Sequence, residues 1–261
     1  MFETARFEGE RRLTGSVVVA LGLSAFAAMM VLIAPAILDE FDVAALTESF
    51  PPALVEAMRL DVIATIEGFM ALELYWFGWL LVLGIYVAYN AASAIAGDID
   101  DGTMDTLLAA PVSRWQVLFE KYLSLLVPIL VLNVVVPVAL YAGSVLVDMP
   151  ISPTDLVALH ALSVPYLLCW GAVGLLVGVV VRRGRTAGRV ALGVVIATWL
   201  VESVVVSTEF EWLGAVAPMR YFDPSAVLVD GTYDLVGAGL LLVVAVVLLA
   251  ASQQLFRRND L

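Results

Sequence analysis

The sequence predicts an all-α integral membrane protein with six transmembrane helices and both termini in the cytoplasm. Its 261 residues are 62% hydrophobic and 15% charged, whereas soluble domains are about 45–50% apolar and about 25% charged. The apolar residues fall into six long blocks, and a bilayer core about 30 Å thick needs roughly 20 apolar residues in a helix. Almost all basic residues lie on one side of these blocks. We therefore expect a multi-pass protein of the cell membrane.

The predicted spans occupy, in chain order, residues 16–38, 74–96, 122–147, 156–181, 190–206 and 235–252. The apolar run after Arg12 is too long for a signal peptide and lacks a cleavage pattern, so we expect the first span to be retained. All Lys and Arg residues except Arg59 and Arg220 lie in the segments on one side. Because an excess of Lys and Arg marks cytoplasmic loops, both termini are predicted inside the cell, as an even number of spans requires. We expect one membrane domain over residues 1–261.

The charge balance excludes several classes of protein. The 25 acidic and 13 basic residues give a net charge of −12, which excludes a nucleic-acid binder, because phosphate binding needs clustered Lys and Arg. A single cysteine, Cys169, excludes a disulfide framework within the chain. The excess of acid with only one lysine, Lys121, is typical of a salt-loving microbe, here a haloarchaeon, because concentrated salt screens the repulsion between carboxylates. A GC-rich genome would explain the lysine shortage but not the acid excess.

The segments on the outer side differ in length and character. The first, residues 39–73, is long and acidic, and Pro51 and Pro52 are expected to open a short helix within it. The second, residues 148–155, is a tight, proline-containing turn. The third, residues 207–234, carries aromatic residues beside prolines, which is typical of a structure that lies at the membrane interface or dips back into it.

The inner segment from Gly97 to Lys121 predicts two short helices joined by a turn, an elbow against the cytoplasmic face. Met104, Leu107 and Leu108 follow the i, i+3, i+4 spacing of an apolar stripe on a short helix. We expect this stripe to be exposed, since a loop needs an exposed apolar ridge only where a partner docks. Acidic residues crowd the predicted helix start, which suits the helix dipole: Asp98, Asp100, Asp101 and Asp105.

The ends of the elbow helices are also predicted by sequence. Pro111 should end the first helix, and Ser113 with Gln116 fits a capping box for a second helix that runs into the third span. A calcium loop is a poorer explanation of the acidic residues. Counted from Asp98, such a loop needs Gly and Glu at its sixth and twelfth positions, where this chain has Thr103 and Ala109.

The stretch from Gly102-Thr-Met-Asp-Thr-Leu-Leu to Pro111-Val-Ser-Arg and Lys121 resembles the signature of the type 2 ATP-binding-cassette (ABC) exporter permeases. That signature is an acidic cluster, Gly-Thr, an acid, Leu-Leu, Pro-x-Ser-Arg and a downstream Lys. Six spans and a basic amphipathic N-terminus extend the resemblance. One departure is that only Asp precedes Gly102 where the family often has Glu and Arg. The resemblance implies that the elbow is the coupling helix, which contacts a partner ATPase through Asp98, Asp101, Gly102, Thr103, Met104, Asp105, Leu107, Leu108, Pro111, Ser113 and Arg114.

The chain contains no Gly-x-x-x-x-Gly-Lys-Ser/Thr loop for a nucleotide. We therefore expect no cofactor, no metal site and no catalytic residue in this chain, with ATP and Mg bound by a separate ABC ATPase subunit. The resemblance implies that two permease subunits, identical or mixed, pair in the bilayer with two ATPases. Closure of the ATPases would then push on the elbows and open a pathway for an exported substrate.

Four polar residues within or beside the spans are candidates for the transport pathway, because such residues are costly in lipid and often functional. Glu73, His160 and Glu202 all lie near the outer ends of spans. They could line a polar vestibule or a metal site, but the favoured interpretation is that each reaches the interface separately. Asn133 lies near the middle of the third span. It is expected to form an interhelical hydrogen bond first and to contact substrate second.

Two further questions stay open at this level. Gly171, Gly174 and Gly178 allow close helix packing, either within the subunit or between two permeases. The alternatives to an ABC permease are an ion-gradient-driven transporter and a membrane-embedded hydrolase. The peripheral carboxylates argue against the first, which tends to place them at mid-membrane. The single histidine, His160, argues against a metal-dependent intramembrane protease, which needs a His-Glu-x-x-His type cluster.

Overall fold

A computed structural model describes residues 3–40, 65–109, 111–206 and 208–258. These residues form helices, turns and short connections, without a strand among them. Two short 3₁₀ helices, Glu211–Val216 and Pro218–Tyr221, precede the last two helices. The α-helices are, in order, α1 Glu3–Glu40, α2 Ile66–Asp100, α3 Thr103–Ala109, α4 Arg114–Leu123, α5 Leu126–Leu146, α6 Pro153–Val181, α7 Gly184–Val205, α8 Pro224–Leu228 and α9 Leu235–Arg258.

Six helices in the described part of the chain are long and apolar enough to cross a membrane. They are α1, α2, α4 together with α5, α6, α7 and α9, and each overlaps one predicted span, so the all-α, six-span prediction is confirmed. Most helices extend beyond the predicted apolar cores. The clearest case is α9, which continues to Arg258, because a helix can carry polar residues once it has left the apolar layer. The short helix predicted after Pro51 and Pro52 lies outside the described residues.

The third span is interrupted at the end that adjoins the elbow. Between α4 and α5 the chain turns at Ser124 and Leu125. Pro128 has no N–H to donate to the carbonyl of Ser124, and its ring crowds that carbonyl, so the regular helix cannot pass this point. The hydroxyl of Ser124 donates a hydrogen bond to the carbonyl of Lys121 at 2.7 Å. The elbow's second helix therefore joins the third span through a bend.

Contacts between helix ends show that spans consecutive in the sequence alternate in direction. Gly9 lies beside Val127 and Gly143 beside Val31, so α1 and α5 run the same way. Gly184 lies against Gly97, which sets the start of α7 beside the end of α2. The start of α1 and the end of α9 thus share the elbow's end of the bundle. This agrees with an even number of spans, while the cytoplasmic side remains a prediction from the Lys and Arg distribution.

Helix α2 is packed tightly between α6 and α7. A Cβ added to Gly174 would lie 2.3 Å from the carbonyl oxygen of Ala88, and one added to Gly178 would lie 2.6 Å from that of Ala92. Gly188 of α7 is equally close to the ring of Tyr89 on the other side. The small residues of α6 therefore pack within the subunit, which decides between the two interpretations left open by the sequence.

Candidate functional site

The elbow begins at a glycine whose backbone needs the left-handed region. Gly102 has φ of +72°, and its N–H lies 3.4 Å from the carbonyl oxygen of Ile99. A residue without a Cβ adopts this conformation at no steric cost, and it is the usual way to end a helix. Gly102 therefore ends α2 and turns the chain directly into α3, so the two helices are joined without a flexible linker.

The apolar stripe of α3 points into the protein. Met104 is 1% exposed, and Leu107 and Leu108 are half-buried against the core. The expectation of an exposed apolar ridge is therefore wrong, because burying these side chains against the rest of the protein stabilises the short helix more than exposure would. The outward face of α3 is mainly polar, with Thr103, Asp105 and Thr106 beside the small Ala109.

The acidic residues before the elbow belong to two different helices. Asp98 and Asp100 lie in the last turn of α2, and Asp105 alone is in the first turn of α3. The prediction that all of them crowd the start of the elbow helix is therefore wrong. A carboxylate at the C-terminal end of a helix is unfavourable toward the helix dipole, so Asp98 needs a compensating cation nearby.

That cation is the chain's only lysine. The Nζ of Lys121 lies 2.7 Å from Oδ2 of Asp98 and 2.9 Å from Oε1 of Glu8, and the side chain is 1% exposed. Arg12 lies 3.8 Å from the second oxygen of Glu8. We call Lys121, Glu8 and Asp98 the lysine cluster. It joins the start of α1, the end of α2 and α4 around a buried cation, which is stable in its charged form only because it has partners.

The second elbow helix is capped and tied to the end of the chain's last helix. The N–H of Gln116 donates to the hydroxyl of Ser113 at 3.1 Å, which confirms the predicted cap. The Gln116 side chain donates to Glu120 rather than back to Ser113, so only half of the capping box forms. Arg114 donates to the carbonyl of Phe256 at 2.8 Å and lies over its ring. It thereby satisfies a carbonyl in the last turn of α9 that has no helical partner.

Comparison with protein families agrees with this arrangement. The family model described as ABC-2 family transporter protein matches residues 13–261. The chain belongs to this family. No curated protein matches it. It is a membrane permease subunit of an ABC transporter, a transport subunit rather than a catalytic one, and permeases of this family normally work with an ABC ATPase partner.

The permease has a shallow cleft on the outward side of its elbow. The cleft has a volume of about 470 Å³ and lies where α3 turns into α4. Its lining residues are Asp105, Leu108, Ala109, Val112 and Arg114. The lining thus combines one carboxylate and one guanidinium with three apolar side chains. Of the residues that the resemblance names, Asp105 and Thr103 face outward, whereas Met104, Asp98 and Arg114 make contacts within the permease.

Asn133 makes the interhelical hydrogen bond expected of it. The hydroxyl of Ser163 on α6 donates to Oδ1 of Asn133 at 2.7 Å, and the amide of Asn133 donates to the carbonyl of Ile129 at 2.8 Å. Such bonds join helices in lipid, where an unsatisfied amide is costly. Asn133 also borders a largely apolar groove of about 420 Å³ between α5 and α6.

The other three pathway candidates have separate surroundings. His160 is 4% exposed, donates through Nδ1 to the carbonyl of Leu156, and meets the rings of Tyr75 and Trp79 edge-on. These aromatic residues lie in a π-helical stretch of α2, Ala71–Leu83, which also contains the half-buried Glu73. Among the described residues, no group of His, Cys, Asp and Glu is arranged to hold a metal ion.

Glu202 belongs to an ion cluster at the opposite end from the elbow. Its Oε2 lies 3.8 Å from Arg220, which also pairs with the carboxylate of Glu211. Nearby, the hydroxyl of Tyr233 donates to Asp155 at 2.5 Å, and this hydrogen bond raises the pKa of Tyr233 above its ordinary value. Glu202 thus pairs with Arg220 rather than with His160 or Glu73, although its buried Oε2 accepts no hydrogen bond.

The lysine cluster is not predicted by the sequence. Lys121 stands in the sequence as the last residue of the family signature, and Glu8 has no signal of its own. One local signal could have pointed to the cluster: the chain's single lysine, beside twelve arginines, stands directly before an apolar span. Its partners, however, lie far away in the sequence and come together only when the helices pack.

Proposed function

We propose that this permease couples ATP hydrolysis by a separate ABC ATPase subunit to the export of a substrate, with α3 as the docking element. The ATPase binds ATP and Mg, and a second permease subunit, identical or different, completes the transport unit. The observation that carries the proposal is the two-sided character of α3. Its apolar side is held in the permease through Met104, and its polar side is free to receive a partner.

The polar face determines what kind of contact we expect. Thr103, Asp105 and Thr106 are exposed and offer hydroxyl and carboxylate groups. A partner groove with basic and hydrogen-bonding side chains would complement them, and such contacts favour specificity and a defined register over bulk affinity. Docking through polar groups also leaves the elbow soluble at the membrane surface when the ATPase is absent.

The inner contacts determine where a push on α3 would travel. Gly102 joins α3 directly to α2, which packs between α6 and α7. The lysine cluster connects the same region to α1 and α4, and Arg114 connects it to α9. A displacement of the elbow therefore acts on several spans together. Transmission of a displacement from the elbow to the spans requires packed helices that can adopt two discrete arrangements, rather than a single flexible joint.

The experiment that tests the proposal is purification of the tagged permease in mild detergent, with mass spectrometry of the proteins that accompany it. The buffer contains concentrated salt, because the acidic composition predicts a salt-loving host. We expect a nucleotide-binding ATPase in a stoichiometric amount. Asp105→Arg should lower the amount of ATPase retained at least about ten-fold, as expected when a like charge replaces a complementary one at an interface.

A matched control separates docking from folding. Glu209 is exposed at the opposite end of the bundle, so Glu209→Arg makes the same charge change away from the elbow and should retain the ATPase. Both variants should insert into the membrane and unfold at the same temperature as the unmodified permease. Substrate transport by the permease without any ATPase would overturn the proposal in favour of an ion-gradient-driven transporter. Full ATPase retention by Asp105→Arg would show that α3 is not the docking element.

A further inference from the structure

A second cleft, distinct from the elbow, opens between α1 and α2. It has a volume of about 650 Å³ and lies at the elbow's end of the bundle. Arg11 and Arg12 of α1 line one side, and Tyr86, Asn90 and Ser93 of α2 line the other. Toward the apolar part of α1 the cleft continues along Val18 and Val19. One space thus combines basic groups, neutral hydrogen-bonding groups and an apolar extension.

Two polar atoms at this cleft lack partners. The Nε of Arg12 and the hydroxyl of Ser93 are buried, and neither forms a hydrogen bond. Buried donors are normally satisfied, and an unsatisfied one at the wall of an open cleft calls for an acceptor from outside the chain. A guanidinium offers donors only, so that acceptor must be electron-rich.

The acidic residues of the cleft leave the Nε of Arg12 without an acceptor. Another nitrogen of Arg12 lies 3.8 Å from Glu8, one turn earlier on α1. Glu8 and Asp98 also lie against Lys121, which neutralises part of their charge. Arg11 is exposed at the mouth of the cleft, next to Arg12, and Asp101 is exposed at the rim beside the elbow. The carboxylates therefore lie toward the elbow, where they can accept from hydroxyl groups, and the two arginines lie farther along α1.

We propose that this cleft binds an amphiphile with an anionic phosphate group. The phosphate lies against Arg11 and Arg12, hydroxyl groups next to it face Asn90 and Ser93, and the apolar chain follows Val18 and Val19. Arginine suits phosphate because its planar donors match two oxygens at once. Bound there, the ligand bridges α1 and α2. A membrane phospholipid and a free phosphate ester share this head-group chemistry. Binding at this site does not require an ATPase, so this proposal can be tested independently of the proposed function.

The test is native mass spectrometry of the full-length permease in detergent with equal amounts of phosphatidylglycerol and phosphatidylcholine. We expect phosphatidylglycerol to be retained in preference. Arg11→Gln should reduce its retention about five-fold, the effect of one basic residue near an anionic head group. Gly15 lines the cleft and has nothing within 4 Å of an added Cβ. Gly15→Phe should therefore place a ring in the cleft and abolish the preference.

Matched controls come from the same chain. Gly22 on α1 also has open space around it but does not line the cleft, so Gly22→Phe should leave lipid retention unchanged. Arg185→Gln removes an exposed arginine elsewhere and should do the same. Equal retention of both lipids, or unchanged retention in Arg11→Gln and Gly15→Phe, would overturn the proposal. If glycerol phosphate displaces the lipid and shows the same dependence on both variants, the ligand is a free ester; if it does not, the ligand is the membrane lipid.

Discussion

The two ends of the helical bundle hold their charges in different ways. At the elbow's end, Lys121 is 1% exposed and contacts carboxylates from two other helices. At the opposite end, Arg220 is 28% exposed and pairs with Glu202 and with the half-exposed Glu211. Both clusters join several elements, but only the first has a buried cation. A buried cation is held by its fixed partners, whereas an exposed one is screened by water and salt.

This contrast fits a division of labour between the ends. Under the proposed function, the elbow's end passes a mechanical displacement from α3 to the spans, and a buried cation with fixed partners resists local rearrangement. The end opposite the elbow is built from the short 3₁₀ helices, their flanking residues and α8. In this region Met219 and Phe222 are buried, whereas Phe210 and Trp212 are exposed. Short helices of this kind adapt more easily than long ones. The following predictions test whether the contrast holds.

The largest effect is expected from removal of the lysine. Lys121→Met leaves Asp98 without its cation and Glu8 with only Arg12, and should lower the free energy of unfolding by about 3 kcal/mol, the low end of the range for a buried pair that loses one partner, because both carboxylates are partly exposed. Arg220→Met at the outer end should cost only about 1 kcal/mol, because its pairs are partly exposed to solvent. Unfolding in detergent, followed by tryptophan fluorescence against denaturant, measures both. Equal losses would remove the distinction between the two ends.

An intermediate effect is expected from truncation of one methionine at each end. Met104 is 1% exposed in the elbow and Met219 is 7% exposed in the outer segment, so Met→Ala at either position should cost about 2 kcal/mol. The two variants should differ in function, since only Met104→Ala loosens the docking helix and should lower ATPase retention. Loss of the ATPase from Met219→Ala as well would show that general stability, rather than the elbow, controls the association.

The smallest effect is expected from removal of one helix cap at each end. Ser113 caps α4 through the N–H of Gln116, and Asp223 caps α8 through the N–H groups of Ser225 and Ala226. Substitution of either cap by alanine should cost about 1 kcal/mol. Hydrogen exchange should report the loss locally, as faster exchange in the first turn of the affected helix. If protection from hydrogen exchange is unchanged in both helices, tertiary packing rather than the caps stabilises the first turns of α4 and α8.

Much of the fold could be predicted from sequence because its signals are local. Each span needs only a run of apolar residues, and the end of α3 before Pro111 and the cap at Ser113 depend on neighbours within one helical turn. The hydrogen bond expected of Asn133 followed from its depth in the membrane alone. The same local rules mis-assigned Asp98 and Asp100, because the chain begins its turn only at Asp101 and Gly102, which lengthens α2 at the expense of α3.

The sequence by itself determined the six apolar helices, the bias of basic residues to one side and the position of the elbow. Tertiary structure alone decided which way the elbow faces and what its charged residues contact. A stripe at helical spacing has the same pattern whether it faces a partner or its own protein, so the burial of Met104 was not encoded locally. The bonds from Lys121 to Glu8 and from Arg114 to Phe256 span 113 and 142 residues. Such contacts exist only once the helices have packed.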